Sequence, residues 1–313
     1  MKKGKKEVRC DIQQRVTDCI IKQLEQGNLS PWQCPWTKTG ETPIPYNWQT
    51  KQSYNGINVF LLWHESGNRG YTTNAWLTFK QAQQLGGCVK KGEKSVRCIF
   101  YKTVEVEDRN AELKKGKDRM ISIPCFREFS LFNIEQVDGL SDLPAEPKQP
   151  EYEDDDIIWA IDTIAKEYCK NTNVAIKNGS DQAYYSPTLD QIKLPTTFHK
   201  GSDYAATLAH ELIHSTGHKS RLDRFNDQSD NFSSFKEFYA FEELVAELGA
   251  AFICAELQIE GENLQHASYI DCWLRVLKSD KTFFFKAAAQ AGKAYRLLMQ
   301  GGVMVEAPLS SAA

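Results

Sequence analysis

The stretch LAHELIHSTGH, residues 208–218, sets His210, Glu211 and His214 in the spacing H-E-x-x-H. Leu208, Leu212 and Ile213 recur around them at helical spacing, which predicts a helix over 203–216 with Ser202 as N-cap and Gly217 as its stop. Histidines four apart lie one turn apart on the same face, so both imidazoles can reach one ion at about 2.0–2.1 Å. Glu211 sits about 100° further round the helix from His210, toward the open side of such an ion. There it can take a proton from water whose pKa a bound ion lowers to about 7. Two histidines satisfied inside an ordinary core would give the same spacing; the helical, apolar setting favours the metal reading.

A catalytic ion needs a third protein ligand. Gly217 fits the longer pattern H-E-x-x-H-x-x-G-x-x-H, but its last position is Ser220, and His218 is out of register for that geometry. The ligand therefore comes from elsewhere. In FYAFEELVAELGAAFI (238–253), Glu243 and Glu247 share one helix face beside Val245, Leu248 and Phe252. Carboxylates along a core-facing stripe are costly to bury without partners, and a cation plus a histidine N–H would provide them. This assigns Glu243 as third ligand and Glu247 as the group that orients a ligating imidazole, with the reverse assignment left open. Glu242 is expected to be solvated.

The 313 residues are enough for two domains, and 41% hydrophobic with 25% charged residues is the composition of an ordinary globular chain. No apolar run approaches the roughly 20 residues of a membrane span, and the basic N-terminus lacks a signal-like apolar region. The odd number of cysteines (nine) contains no C-x-x-C pair, which suits a reduced, cytoplasmic protein. The net charge of −3 is unevenly divided. Residues 1–140 hold 22 Lys+Arg against 15 Asp+Glu, a balance of +7; residues 141–313 hold 16 against 26, a balance of −10. Such asymmetry points to a polyanion meeting the first half.

SDLPAEPKQPEYEDDD (141–156), with three prolines and seven acids, reads as a linker tethering two domains. Ahead of it, DIQQRVTDCIIKQLEQG has helical periodicity, and NGINVFLLW begins either a helix or a strand. LTFKQAQQLGG is a short helix, while KSVRCIFYKTVEVE and IPCFREFSLFNIEQV read as paired strands. After the linker come a helix beginning DDIIWAID, short strands in VAIKNG and QAYYSPTLDQIKLP, and further helices at 235–257, 265–279 and 281–299. The fold class is α+β in two domains: 1–140, then a mainly helical domain over 157–305 and a flexible tail at 306–313. Single strands are held by positive grooves and aromatic faces. Trp32, Trp36 and Tyr54, in segments punctuated by proline and glycine, are the candidate stackers; Lys90, Lys91 and Lys94 form a basic turn suited to phosphates.

HELIHSTGHKSRLDR and EELVAELGAAF resemble the gluzincin-type metallopeptidase domain of ArdC-like antirestriction proteins, carried on conjugative plasmids and mobile elements. PYNWQTKQSYNGINVFLLW, TNAWLTFKQAQQLGGCVKKGEKSV and SLFNIEQV are similar to that family's N-terminal single-stranded-DNA-binding domain, found also at the front of TraC-type plasmid primases. The resemblance covers nearly the whole chain. It implies that His210, His214 and Glu243 hold zinc, with manganese or another divalent ion also compatible, and that Glu211 is catalytic. It further implies single-stranded DNA and an unidentified protein as partners, no membrane, and protection of incoming plasmid DNA from restriction. The competing reading is a protein that coats single strands without catalysis, its metal site structural or vestigial. The intact Glu211 counts against it, because a structural site needs no general base. A primase fragment is a weaker third reading, since no acidic nucleotidyl-transfer motif follows the linker.

Overall fold

The computed structural model describes residues 12–26, 44–107, 120–141, 153–226, 232, 234–259 and 267–303. In the first half, α1 (Ile12–Glu25) precedes β1 (Tyr46–Asn47) and α2 (Ile57–Arg69). There follow β2 (Ala75–Leu77), α3 (Phe79–Gln84), β3 (Cys88–Val89), β4 (Val96–Glu107), β5 (Met120–Asn133) and β6 (Val137–Asp138). NGINVFLLW is thus a helix. Gly56 enters it at φ 55°, a left-handed value that favours glycine, and Val59, Phe60, Leu62, Trp63 and Ser66 are its buried residues. β4 and β5 pair antiparallel from Val96 opposite Leu131 to Glu107 opposite Met120, and their connecting turn lies outside the described residues. The sheet order is β1-β2-β5-β4, with β1 parallel to β2; β3 and β6 form a separate pair. Val96 and Cys98 are buried on one face; on the other, Arg97 is exposed while Ile99 is buried against Val16 and Phe285. α3 starts with a capping box between Thr78 and Gln81.

The second half opens with α4 (Asp154–Thr172). Residues 154–156, assigned above to the linker, form its first turn, because three aspartates favour the positive end of a helix dipole. The rest of that stretch, 142–152, lies outside the described residues. Next come β7 (Ala175–Asn178), β8 (Tyr184–Ser186) and β9 (Gln191–Leu194), arranged β7-β9-β8, with β9 parallel to β7 and antiparallel to β8. The helices α5 (Gly201–Ser215), α6 (Phe235–Glu256), α7 (Ala267–Ser279) and α8 (Phe283–Met299) complete it. Tyr185, Ile192 and Leu194 of the sheet bury against the core that contains Ala205, Leu208 and Leu212 of α5. None of the described helices is long and apolar enough to cross a membrane.

The two domains are not simply tethered. Ile20 and Leu24 of α1, Ile44, and Val59, Phe60 and Trp63 of α2 belong to the same buried cluster as α4, α5, α6, α7 and α8. Phe60 stands 4.9 Å from Phe252 of α6 and 6.0 Å from Phe284 of α8, centroid to centroid. Backbones touch as well: a Cβ on Gly292 would lie 3.3 Å from the Gly56 nitrogen. Thr17 donates to the Lys281 carbonyl at 3.1 Å, and Lys278 pairs with Glu25 at 2.6 Å. The linker-like stretch at 141–156 suggests separable halves, but the apolar faces of α1 and α2 require a partner, which the second half provides. Phe60→Ala is therefore expected to destabilise the whole chain by about 3–5 kcal/mol. Calorimetry should show both halves still melting in one shifted transition, not in two.

Candidate metal centre

α5 begins at Gly201 with Lys200 as N-cap, so Ser202 lies inside its first turn instead of capping it. Its site-bearing face meets α6. A Cβ on Gly249 would lie 2.6, 2.8 and 3.0 Å from three side-chain carbons of Ile213, so only glycine lets the helices approach this closely. That approach brings His210 and His214 against a row of glutamates. The two Nε2 atoms are 3.0 Å apart. Glu243 faces both, its Oε2 3.5 Å from His210 Nε2 and its Oε1 3.6 Å from His214 Nε2. One ligand atom from each of these three residues falls within 4.8 Å of the others. Behind the rings, Glu247 Oε1 is 3.1 Å from His210 Nδ1, and Glu242 Oε1 is 3.5 Å from His214 Nδ1. Each imidazole thus has a carboxylate at its rear nitrogen and turns its front nitrogen toward a common point, an arrangement that suits metal ligation.

Glu242 corrects the expectation of a solvated side chain. It is 2% exposed and takes two hydrogen bonds from Arg224, Nε–Oε2 at 2.9 Å and Nη2–Oε1 at 2.5 Å. Arg224 also donates to the Thr216 hydroxyl and the Ile213 carbonyl, pinning the chain after α5 onto both helices. Burial works against the charge on Glu242, but Arg224 outweighs it and holds the carboxyl below its ordinary 4.5. Glu243 is likewise held low: burial opposes its charge, and the hydrogen bond from His210 and the nearby imidazoles overcome this. His210 is driven well above its ordinary 6.5, since Glu243, Glu247 and Glu211 outweigh the cost of its burial.

Glu211 is buried, and its Oε2 has no hydrogen-bond partner among the described residues. An orphaned carboxylate oxygen beside two imidazoles and a second carboxylate is the setting of a group that can engage water. His218 is outside the cluster. Its Nδ1 meets Ser220 Oγ at 2.8 Å and stands 3.9 Å from Asp190 Oδ2. Asp190 accepts from Arg221 at 3.0 Å and from Tyr185 at 2.6 Å, and Arg221 Nε donates to the Ser215 carbonyl at 2.8 Å. This buried clamp ties the end of α5 to β8 and β9.

Residues 163–290 match a zincin-like metallopeptidase family, and residues 10–132 match the N-terminal domain of the anti-restriction factor ArdC. The fold aligns with the metal-free crystal structure of antirestriction protein ArdC from plasmid R388 at TM-score 0.72 and 39% identity, covering 93% of this chain and 98% of that one. The Mn(II)-bound structure of the same protein aligns at 0.69 and 37%, covering 95% and 100%. The chain belongs to the ArdC family of antirestriction proteins. An uncharacterised Sinorhizobium fredii protein, y4eC, is 37% identical over 90% of this chain and 89% of its own length. DNA primase TraC of Escherichia coli is 34% identical over 92% of this chain, which spans 27% of that longer protein.

In this ArdC-family chain the proposed DNA contacts are placed unevenly. Trp32 and Trp36 lie outside the described residues. Tyr54 is no free stacking platform: its ring packs between two core clusters and its hydroxyl accepts from Asn47 Nδ2 at 3.1 Å. Lys90 donates to the Glu135 carbonyl at 2.8 Å, while Lys91 and Lys94 are exposed around the Gly92 turn. Trp63 and Trp76 are core. Lys51 sits 3.2 Å from the Trp48 ring centroid, joining a cation to a partly buried aromatic.

Glu242→Gln tests the buried ion pair. Breaking it should cost about 3–5 kcal/mol at neutral pH. A carboxyl with a depressed pKa contributes stability that is present above its unfolded pKa, near 4.5, and is lost as pH falls through the folded value. Urea unfolding of metal-free protein should show that acid-dependent component in wild type and its absence in the variant. Gly249→Ala should cost about 1–3 kcal/mol through overpacking against Ile213 and weaken divalent-metal binding at the cluster. Adding Ile213→Val should recover part of both, a coupling readable in a double-mutant cycle.

Proposed function

We propose that this protein is a metal-dependent peptidase that binds single-stranded DNA and acts in antirestriction during the establishment of mobile or plasmid DNA. The observation that carries the reading is the Glu211 carboxylate, buried with an unpartnered oxygen beside His210, His214 and Glu243. A purely structural metal site has no use for such a group.

His210, His214 and Glu243 would hold the ion. Two imidazoles and one carboxylate form a donor set that leaves a position open and suits zinc, while the carboxylate also admits manganese. When bound, the cation supplies Lewis-acid polarisation and makes water more acidic. Glu211 takes the proton of the attacking water as its oxygen bonds to the peptide carbonyl carbon. The same carboxyl then delivers that proton to the amine nitrogen as the C–N bond breaks. Glu247 and Glu242 hold the two rings in orientation. β8, an edge strand next to α5, offers backbone groups that an extended peptide could pair with.

The DNA component rests on the family of the first half, its +7 charge, and the exposed Lys91 and Lys94. The protein substrate carries no chemical signature in the chain.

Metal analysis should find one zinc per chain. His210→Ala and His214→Ala should lose it, whereas Glu211→Gln should keep it and lose casein hydrolysis; full activity in Glu211→Gln would overturn the general-base role. Because the halves share a core, DNA binding is best measured on the full chain, by anisotropy of a labelled oligonucleotide. Affinity should fall steeply with salt, and Lys91→Ala or Lys94→Ala should each reduce the slope of log K against log salt by about 1. Salt-independent binding would sink the assignment.

A further inference from the structure

Residues 42–92 carry one acid, Glu65, against five bases, Lys51, Arg69, Lys80, Lys90 and Lys91. Glu65 is already matched, paired with Arg69 one helical turn further on. This segment therefore presents uncancelled positive charge, and its exposed aromatic residues are the ones to weigh as stacking faces. Among the described residues of the first half, Phe79 is the aromatic most open to solvent, 51% exposed at the start of α3. Its ring leans on Phe132 of β5, 6.3 Å away centroid to centroid, and Lys80 beside it is exposed. Phe132, Trp48 and Tyr46 are half-buried around one cluster that includes Leu77 and Ala82. Four aromatic rings thus border a single patch of core and stay open to solvent to differing degrees.

The loop after β1 holds a cation against one of these rings. Lys51 N–H donates to the Asn47 carbonyl and Asn47 N–H to the Gln52 carbonyl, both at 2.8 Å. Asn47 Oδ1 accepts from the N–H groups of Gln49 and Thr50, each at 3.0 Å. Closing so tightly puts Lys51 at φ 59°, a left-handed value that residues with a side chain rarely adopt. Its ammonium stands 3.2 Å from the Trp48 centroid and 5.8 Å from that of Tyr46. An exposed cation–π contact adds little stability, so packing alone does not account for a strained lysine held there. Asn47 Nδ2 also donates to Gln81 Oε1 at 3.2 Å, which bonds this loop to α3, the helix that begins with Phe79.

A single strand offers what this surface lacks: flat faces for the rings and phosphates for the lysines. Building on the DNA reading above, we propose that Trp48 and Phe79 are the faces on which bases of single-stranded DNA stack, with Lys51 and Lys80 contacting the phosphates beside them. Lys51 covers the Trp48 ring in the free protein and yields it to a base as its ammonium moves to a phosphate. Duplex DNA keeps its base faces stacked on one another and offers the rings nothing, so the site selects single strands.

The test uses the full chain and two fluorescein-labelled probes of equal length, oligothymidylate and its abasic counterpart, read by anisotropy. Wild type is expected to bind oligothymidylate about tenfold or more tighter than the abasic strand. Phe79→Ala and Trp48→Ala should each weaken oligothymidylate binding about tenfold and change abasic-strand binding little. Phe79 is exposed, so its variant should melt as wild type does and keeps the test valid if Trp48→Ala folds poorly. Lys51→Gln should reduce the slope of log K against log salt by about 1. Equal affinity of wild type for both probes, or oligothymidylate binding by Phe79→Ala at wild-type strength, overturns the proposal and leaves the DNA reading standing. Failure of wild type to bind either probe removes the DNA reading and the proposal with it.

Discussion

Glu211, Glu242, Glu243 and Glu247 are all buried where α5 meets α6, and among the described residues Arg224 is the one arginine hydrogen-bonded to any of them. So much negative charge away from water is tolerable only with positive charge inserted among it. Arg224 serves Glu242, His210 lies against Glu243 and Glu247, and His214 lies against Glu243. Burial opposes a charge on His210, and the surrounding glutamates favour one, which is the setting that a bound cation would relieve. The rest of the second half exists to keep this arrangement closed. Gly249 removes the steric obstacle, Arg224 and Arg221 clamp the chain that leaves α5, and the short sheet fixes the helix from its other side.

Much of the centre was legible before the fold. His210, Glu211 and His214 announce themselves because helical geometry converts a four-residue spacing into one face, and the structure sets Glu243 and Glu247 against the histidines of that face. Glu242 was misread for a definite reason. Periodicity tells which face a residue occupies, but α6 is enclosed on nearly all sides, so no face of it is solvent. The arginine that makes burial of Glu242 tolerable comes from a separate turn, at 224, which no local pattern connects to it.

The first half was harder to read. Its strands could be paired from alternation, as β4 and β5 show, and its short helix from LTFKQAQQLGG and the glycines that end it. Its aromatic residues could not be sorted by composition. Trp63 and Trp76 are core, Tyr54 is wedged between clusters, and the basic turn is partly tied down through Lys90. The acidic, proline-bearing stretch at 141–156 suggested two tethered bodies, yet a linker reports nothing about which apolar faces need covering.

The contact of Phe60 with Phe252 has a consequence for how such a chain can be inherited. A gene fusion that carried the first half without the second would leave the apolar faces of α1 and α2 bare, and the reverse cut would open the core behind α6. Recombination should therefore favour breakpoints outside this unit and penalise those within it. A TraC primase of Escherichia coli fits that bias: although over three times longer, it matches this chain across 92% of its length, both halves together. On that view the two halves travel as a single cassette within longer proteins.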